Sequence, residues 1–170
     1  MIWFTSDTHF GHKNIIKYCN RPFENTVVMD SVLIERWNRV VKSNDIVYHL
    51  GDFAFAKKER IAEIVRKLNG TIYLVKGNHD RESNEYYRSC GFKEVYDQPI
   101  VLNEFLILSH YPMPFAISPI MINIFGHVHD SEMYETFGQK HVCVCVERHA
   151  YAPISMEELE TIYGEKESME

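Results

Sequence analysis

Apolar and polar positions follow two different patterns in the two halves of the chain. In the first half, short apolar runs alternate with longer stretches in which apolar residues recur at three- and four-residue spacing. The short runs are typical of buried strands and the spaced stretches of helices. These strands and helices alternate, starting with a strand, over 1–6, 25–41, 46–50, 57–68, 71–75 and 82–90.

The second half predicts strands without long helices between them. Strands are expected over 99–102, 105–109, 120–125 and 141–146, followed by a short helix over 157–163. Ser155 and Glu158 have the spacing of a capping box at the start of that helix. The whole chain is therefore predicted to be an α/β protein whose sheets carry helices on the outside.

Length and composition fit a single globular domain. The chain has 170 residues, of which 45% are hydrophobic and 25% are charged, and such a chain can bury a sizeable core. We expect one domain over residues 1–163 and a flexible tail over 164–170, because the tail is rich in charge and poor in apolar residues. No apolar run reaches the length of a membrane span, so no membrane partner is expected.

Charge and cysteine usage narrow the function further. The N-terminal segment has no basic region followed by an apolar run, so we predict a cytoplasmic protein without a secretory signal. None of the four cysteines forms a CxxC pair, and they are predicted to be reduced thiols. The net charge of −6 argues against binding long nucleic acids, which takes a basic surface, but it leaves a nucleotide as a substrate.

Side chains that can bind metals follow five of the predicted strands. Because ligands bind beyond the carboxyl ends of strands in open α/β sheets, we expect these side chains to meet at one edge. Their oxygen and nitrogen atoms suit Zn, Mn, Fe and similar ions. Seven candidates exceed what one four-coordinate ion needs, whereas two ions sharing a bridging carboxylate would use them all. The candidates are Asp7, His9, Asp52, Asn78, His110, His127 and His129.

The order of these residues resembles that of the calcineurin-like metallophosphoesterase family. Five blocks carry the resemblance, and they occur in the family's order between residues 7 and 129. Residues 7–12, Asp-Thr-His-Phe-Gly-His, look like the start of the compact single-domain bacterial or phage members. The blocks are Asp7-x-His9, Gly51-Asp52, Gly77-Asn78-His79-Asp80, His110 and Gly126-His127-x-His129.

The resemblance implies a fold and a cofactor. The fold would be a two-sheet β-sandwich flanked by helices on both outer faces. The cofactor would be two divalent or trivalent transition-metal ions, chosen from Mn, Fe, Zn or Ni. The resemblance assigns one ion to Asp7, His9, Asp52 and His129. It assigns the other to Asp52, Asn78, His110 and His127, with Asp52 as the bridge.

The resemblance also implies a mechanism. A hydroxide that bridges the two metals would attack phosphorus, and His79 would protonate the leaving oxygen as general acid. Asp80 would orient His79 and support its charged form. Three further residues are candidates for binding the substrate phosphate. His12 could reach the phosphate or line the following helix, and Arg21 and Arg81 could clamp the phosphate or be solvated.

The function predicted from these features is hydrolysis of a small phosphate ester by a dinuclear metal enzyme. A phosphodiester is favoured over a phosphomonoester, because the short chain has no inserted cap domain that would close the site. Two alternatives stay open. The first is a catalytically silent metal-binding scaffold of the same fold, and the second is a nuclease acting on short or cyclic nucleotides.

Overall fold

Two mixed β-sheets form the centre of the molecule. The computed structural model describes residues 1–113, 121–133, 137–138 and 140–167. The first sheet has the strand order β4-β3-β2-β1-β9, in which β1 to β4 are parallel and β9 is antiparallel. Its strands are β1 (Ile2–Thr5), β2 (Ile46–His49), β3 (Thr71–Val75), β4 (Glu94–Tyr96) and β9 (Ile154–Ser155).

The second sheet has the order β5-β6-β7-β8, with β5 antiparallel to three parallel strands. Its strands are β5 (Ile100–Leu102), β6 (Leu106–Ser109), β7 (Ile122–Phe125) and β8 (His141–Cys143). Every residue of β6 and β7 is buried, as expected for strands with both faces covered. The predicted fold class, an α/β protein with two mixed sheets and helices, is confirmed.

Helices cover the first sheet and close one side of the sandwich. Apolar residues of the first four helices share one buried cluster with Trp3 and Val47 of the first sheet. Leu159 of the last helix belongs to a second cluster, which lies between the sheets and includes Phe4 and Leu108. The helices are α1 (Lys13–Tyr18), α2 (Thr26–Val40), α3 (Lys58–Lys67), α4 (Asn84–Cys90) and α5 (Met156–Glu167).

Most predicted elements are present, with shifted ends. The capping box is confirmed, because the Ser155 amide donates to Glu158 and the Glu158 amide donates back to the Ser155 hydroxyl. Helix α5 continues to Glu167, so residues 164–167 are helical where a tail was expected. Residue 120 of a predicted strand and residues 168–170 of the predicted tail lie outside the described residues.

The last long strand is shorter than predicted for a structural reason. Strand β8 ends at Cys143, because the chain then leaves the second sheet and pairs with the end of the first. The Ser6 amide donates to the Val144 carbonyl over 3.0 Å, and the Val146 amide donates to the Ser6 carbonyl over 3.2 Å. This bridge joins the two sheets beside Asp7. Among the described residues, no helix has the length and apolar character of a membrane span; the cytoplasmic location stays a prediction of the sequence.

Candidate metal centre

The structure brings the predicted metal ligands together at the carboxyl edges of both sheets. Strands β1, β2 and β3 of the first sheet and β6 and β7 of the second all end at this edge. Ligand atoms of Asp7, His9 and His129 lie within 4.8 Å of one another, and so do those of Asp7, Asp52 and His110. The two groups share Asp7, so they are neighbours.

One group converges on Oδ1 of Asp7. The Nε2 atom of His129 lies 3.6 Å from this oxygen and the Nε2 atom of His9 lies 3.8 Å from it. The same His9 nitrogen is 3.5 Å from Oδ2 of Asp52. Asp52 therefore lies beside both groups, which is where a bridging carboxylate would have to lie.

The other group converges on Oδ2 of Asp52. The Nε2 atom of His110 is 3.7 Å from this oxygen and 3.0 Å from Oδ1 of Asn78. The ring of His127 packs against the His110 ring, with centroids 5.1 Å apart. Thus the structure places all seven predicted ligands in one cluster.

In His110 and His129, the contact made by Nδ1 determines that Nε2 faces the cluster. Nδ1 of His110 lies 2.8 Å from the Leu50 carbonyl and therefore donates its proton outward. Nδ1 of His129 lies 2.9 Å from Oε1 of Glu147, and a carboxylate oxygen accepts in the same way. Both rings consequently turn Nε2 towards the carboxylates, in the orientation that metal-binding histidines adopt.

These contacts fit cations rather than hydrogen bonds. Two ligands that are each about 2.1 Å from one tetrahedral ion lie about 3.4 Å apart, close to the separations found here. Oδ1 of Asp7 and Nε2 of His9 are buried without a hydrogen-bond partner, which is costly unless an ion binds them. Nε2 of His110 lies 3.0 Å from the amide oxygen of Asn78, a separation that two ligands of one ion can also have.

Burial shifts the pKa values of His9 and Asp52 in opposite directions. It lowers the pKa of His9 far below the usual range of a histidine, so this ring is neutral and available as a ligand. It raises the pKa of Asp52, because a buried carboxylate loses its hydration. Cations bound here would offset the hydration that the Asp52 carboxylate loses.

The backbone around the cluster is strained. Five of the seven predicted ligands have φ values between 49° and 70°, a region that residues other than glycine rarely adopt. Such conformations persist where the surrounding structure holds them, and they concentrate at functional sites. A side chain at Gly126 would come within 2.5 Å of Oδ2 of Asp7. The strained ligands are Asp7, His9, Asp52, His127 and His129.

In Asp52 and Asp7, one carboxylate oxygen accepts hydrogen bonds from the protein. Oδ1 of Asp52 accepts the backbone amide of His79 over 2.9 Å. Oδ2 of Asp7 accepts the backbone amide of His127 over 2.8 Å and the Cys145 thiol over 3.3 Å. The remaining oxygen of each carboxylate is thereby directed into the cluster.

His79 lies at the exposed side of the cluster, but Asp80 does not orient it. The His79 side chain is 32% exposed, and its Nε2 atom is 4.0 Å from Oδ2 of Asp52. The buried Asp80 carboxylate instead accepts three backbone amides, from Asp52 over 2.6 Å, Gly77 over 2.9 Å and Phe53 over 3.2 Å. The role predicted for Asp80 is therefore wrong: its oxygens are occupied in holding two ligand loops together.

Arg21 is not placed to clamp a substrate phosphate. Its side chain is fully buried, and its guanidinium donates to the carbonyls of Thr8 over 2.9 Å and Asp7 over 2.7 Å. Its Nε and Nη2 atoms both donate to Oε1 of Glu147, over 2.9 and 2.6 Å. These partners account for its donors, so the prediction of a phosphate contact is wrong.

Glu147 is the site residue that sequence reasoning missed. It follows β8 on a short 3-10 helix, Val146–His149, and one oxygen serves both Arg21 and His129. Cys19 also lies within ligand distance of His129 and Glu147. A lone glutamate far along the chain from the motif blocks carries no sequence signal for this role.

The other two substrate-binding candidates, His12 and Arg81, lie beside the cluster, close to His79. Nδ1 of His12 lies 3.2 Å from Nδ1 of His9, and its ring stacks on Phe55 at 4.6 Å. Arg81 is exposed beside His79, with Nε 3.3 Å from the Asn78 carbonyl. A phosphate contact by either residue stays a prediction.

Comparisons with known proteins agree with this geometry. A family model for calcineurin-like phosphoesterases matches residues 1–114. An uncharacterized protein of Methanocaldococcus jannaschii is 35% identical over 164 residues, covering 92% of this chain and 87% of that protein. The Gene 66 protein of Mycobacterium phage L5 is 35% identical over 81 residues, which are 46% of this chain and 39% of the phage protein.

A solved structure shares the fold. The crystal structure of a protein of unknown function from Aquifex aeolicus superimposes with a TM-score of 0.71 at 30% identity, covering 95% of this chain and 98% of that one. The family model spans more than half of the chain, and the archaeal relative spans nearly all of it. The chain therefore belongs to the calcineurin-like phosphoesterase family, whose members typically bind two metal ions and act on phosphate esters.

Proposed function

We propose that this protein hydrolyses a small phosphodiester with two transition-metal ions held by the seven clustered side chains. The observation that carries the proposal is the pair of buried atoms without hydrogen-bond partners, Oδ1 of Asp7 and Nε2 of His9, within the cluster of predicted ligands. Asp7, His9, Asp52 and His129 would hold one ion. Asp52, Asn78, His110 and His127 would hold the other.

When bound, the two ions would supply Lewis acidity that activates water and neutralises charge on the phosphoryl oxygens. The protein's own residues do the rest. Hydrogen bonds to Asp7, Asp52, His110 and His129 hold the ligands in place before substrate arrives. Protonated His79, on the exposed side, gives its proton to the leaving oxygen as the bond from phosphorus breaks.

Two substitutions test the metal and acid roles separately. Asp52→Asn should abolish the binding of at least one ion, measured by metal analysis of the purified protein. Asp97→Asn is the matched control, because Asp97 is exposed and pairs only with Lys76 and Asn84 among the described contacts. Full metal content in Asp52→Asn would overturn the bridging role.

His79→Ala should keep both ions and lose about a hundredfold or more in turnover of alkyl phosphodiesters. The loss should be much smaller for bis(4-nitrophenyl) phosphate, because nitrophenolate leaves without a proton. Equal losses on both substrates would contradict the acid role. Two bound ions without turnover of any mono- or diester would favour a catalytically silent scaffold.

A further inference from the structure

An open cavity of about 720 Å³ lies directly beside His79. It is formed where the segment after β2 and the start of α3 face the loop after β3 and helix α4. His79 lines it together with Phe55, Lys57, Lys58, Arg81 and Tyr86. The cavity is within the size range of small-molecule sites in proteins, and the metal cluster does not use it.

The walls of this cavity combine aromatic rings with positive charge. Phe55 is 57% exposed, and its ring packs parallel to His12, with centroids 4.6 Å apart and planes at 19°. Tyr86 supplies a second ring, with Nζ of Lys58 lying 5.5 Å from its centroid. Lys57, Lys58 and Arg81 bring three cations, against the carboxylate of Glu82 among the described lining residues.

The cavity lies on the side of the site where a leaving group would depart. The His79 ring is 6.0 Å from the Phe55 ring, and its Nε2 atom is 4.0 Å from Oδ2 of Asp52. His79 therefore lies next to both the metal cluster and the cavity. A group attached to the oxygen that His79 protonates would extend into the cavity.

We propose that this cavity binds the leaving group of the substrate, and that this group is a nucleoside monophosphate. Its base would pack against Phe55 and Tyr86, and its own phosphate would pair with Lys57, Lys58 and Arg81. The substrate would then be a short nucleotide phosphodiester. This assignment rests on the proposed function, because it takes His79 to be the acid.

The reaction at this site is a balanced hydrolysis. The oxygen of water forms the new bond to phosphorus, and the bond from phosphorus to the leaving oxygen breaks with its electron pair on that oxygen. That oxygen takes a proton from His79. The attacking water releases a proton to solvent, and solvent returns a proton to His79. A nucleoside monophosphate leaves through the cavity, and the other product keeps the new phosphate.

Binding without metal tests the cavity independently of catalysis. Adenosine 5′-monophosphate should bind the chelator-treated protein in isothermal titration calorimetry, and Phe55→Ala should weaken it about tenfold, as expected for loss of a stacked base. Tyr18→Ala is the matched control, because Tyr18 is 71% exposed on α1, outside the cavity. Lys58→Gln should weaken adenosine monophosphate more than it weakens adenosine.

Turnover then tests the leaving-group assignment. A dinucleotide should be cleaved with higher kcat/KM than the methyl ester of the same nucleotide, and Phe55→Ala should reduce this preference about tenfold. Nucleotide binding that Phe55→Ala and Lys58→Gln leave unchanged would overturn the cavity proposal, while hydrolysis of bis(4-nitrophenyl) phosphate would still support the proposed function. Nucleotide binding by a protein that hydrolyses no ester would overturn the leaving-group role and the proposed function together.

Discussion

Nδ1 of His129 lies 2.9 Å from Oε1 of Glu147, and this contact orients the ring of a predicted metal ligand. The same carboxylate oxygen accepts two hydrogen bonds from Arg21. Arg21 in turn donates to the Asp7 carbonyl. The buried ion pair of Arg21 and Glu147 thus links two predicted ligands of the same ion, Asp7 and His129.

Glu147→Gln should weaken metal binding at the His129 side of the cluster. The neutral amide holds the imidazole less strongly, and loss of such a supporting group costs about 10–100-fold in metal affinity. Affinity is measured by competition with a chelator, on protein shown to be folded by circular dichroism. Glu94→Gln, at an exposed pair with Arg88, should match the wild type; equal affinity in Glu147→Gln would show that Glu147 does not support the ligand.

Asp80→Asn should lower the stability of the fold. The Asp80 carboxylate accepts three backbone amides from two loops, and an asparagine offers one acceptor oxygen and places an NH2 group against a donor. We expect a loss of about 2 kcal/mol or more in the free energy of unfolding. Chemical denaturation measures it, and a variant with unchanged stability but an altered pH profile of kcat would restore the role of orienting His79.

The strands and the meeting of the seven candidate side chains at one edge were predictable because both rest on local signals. Apolar runs of four or five residues predicted β1, β2 and β3, and each motif block directly follows a strand. Strands β9 and β4, of two and three residues, and the six-residue helix α1 are too short to show the period of their own element type. The partners of Arg21 and Asp80 were unpredictable for another reason: Glu147 is 126 positions from Arg21, and a motif does not show where its side chains point.

The contribution of His49 to the stability of the protein should fall as the pH falls from about 6.5 towards 3. Burial, followed by the charge of His110, lowers the pKa of His49 to about 3. Its Nε2–H donates to the Thr8 hydroxyl, which itself donates to the Phe53 carbonyl, and Nδ1 is buried without a partner. In this window the unfolded chain binds the proton and the folded protein does not, so stability rises with pH.

His49→Gln isolates that contribution. Gln can still donate to Thr8 but cannot take a proton, so the pH dependence of its unfolding free energy should be flatter by up to about 1.4 kcal/mol per pH unit. Denaturation of both proteins in chelator between pH 4 and 8 measures the difference. Parallel curves would mean that His49 titrates normally in the folded protein.

Arg21→Lys should act on stability rather than on substrate binding. A lysine keeps the positive charge but cannot reach Glu147, Asp7 and Thr8 at once, and each buried acceptor that loses its partner costs about 1–3 kcal/mol. Arg39→Lys, at an exposed pair with Glu35, should change stability little. The melting temperature and KM together decide. A lower melting temperature with unchanged KM fits the buried pair, since the donors of Arg21 are bound to Glu147, Thr8 and Asp7. A raised KM with unchanged melting temperature would return Arg21 to the substrate, and the Glu147 contact would then have to open when substrate binds.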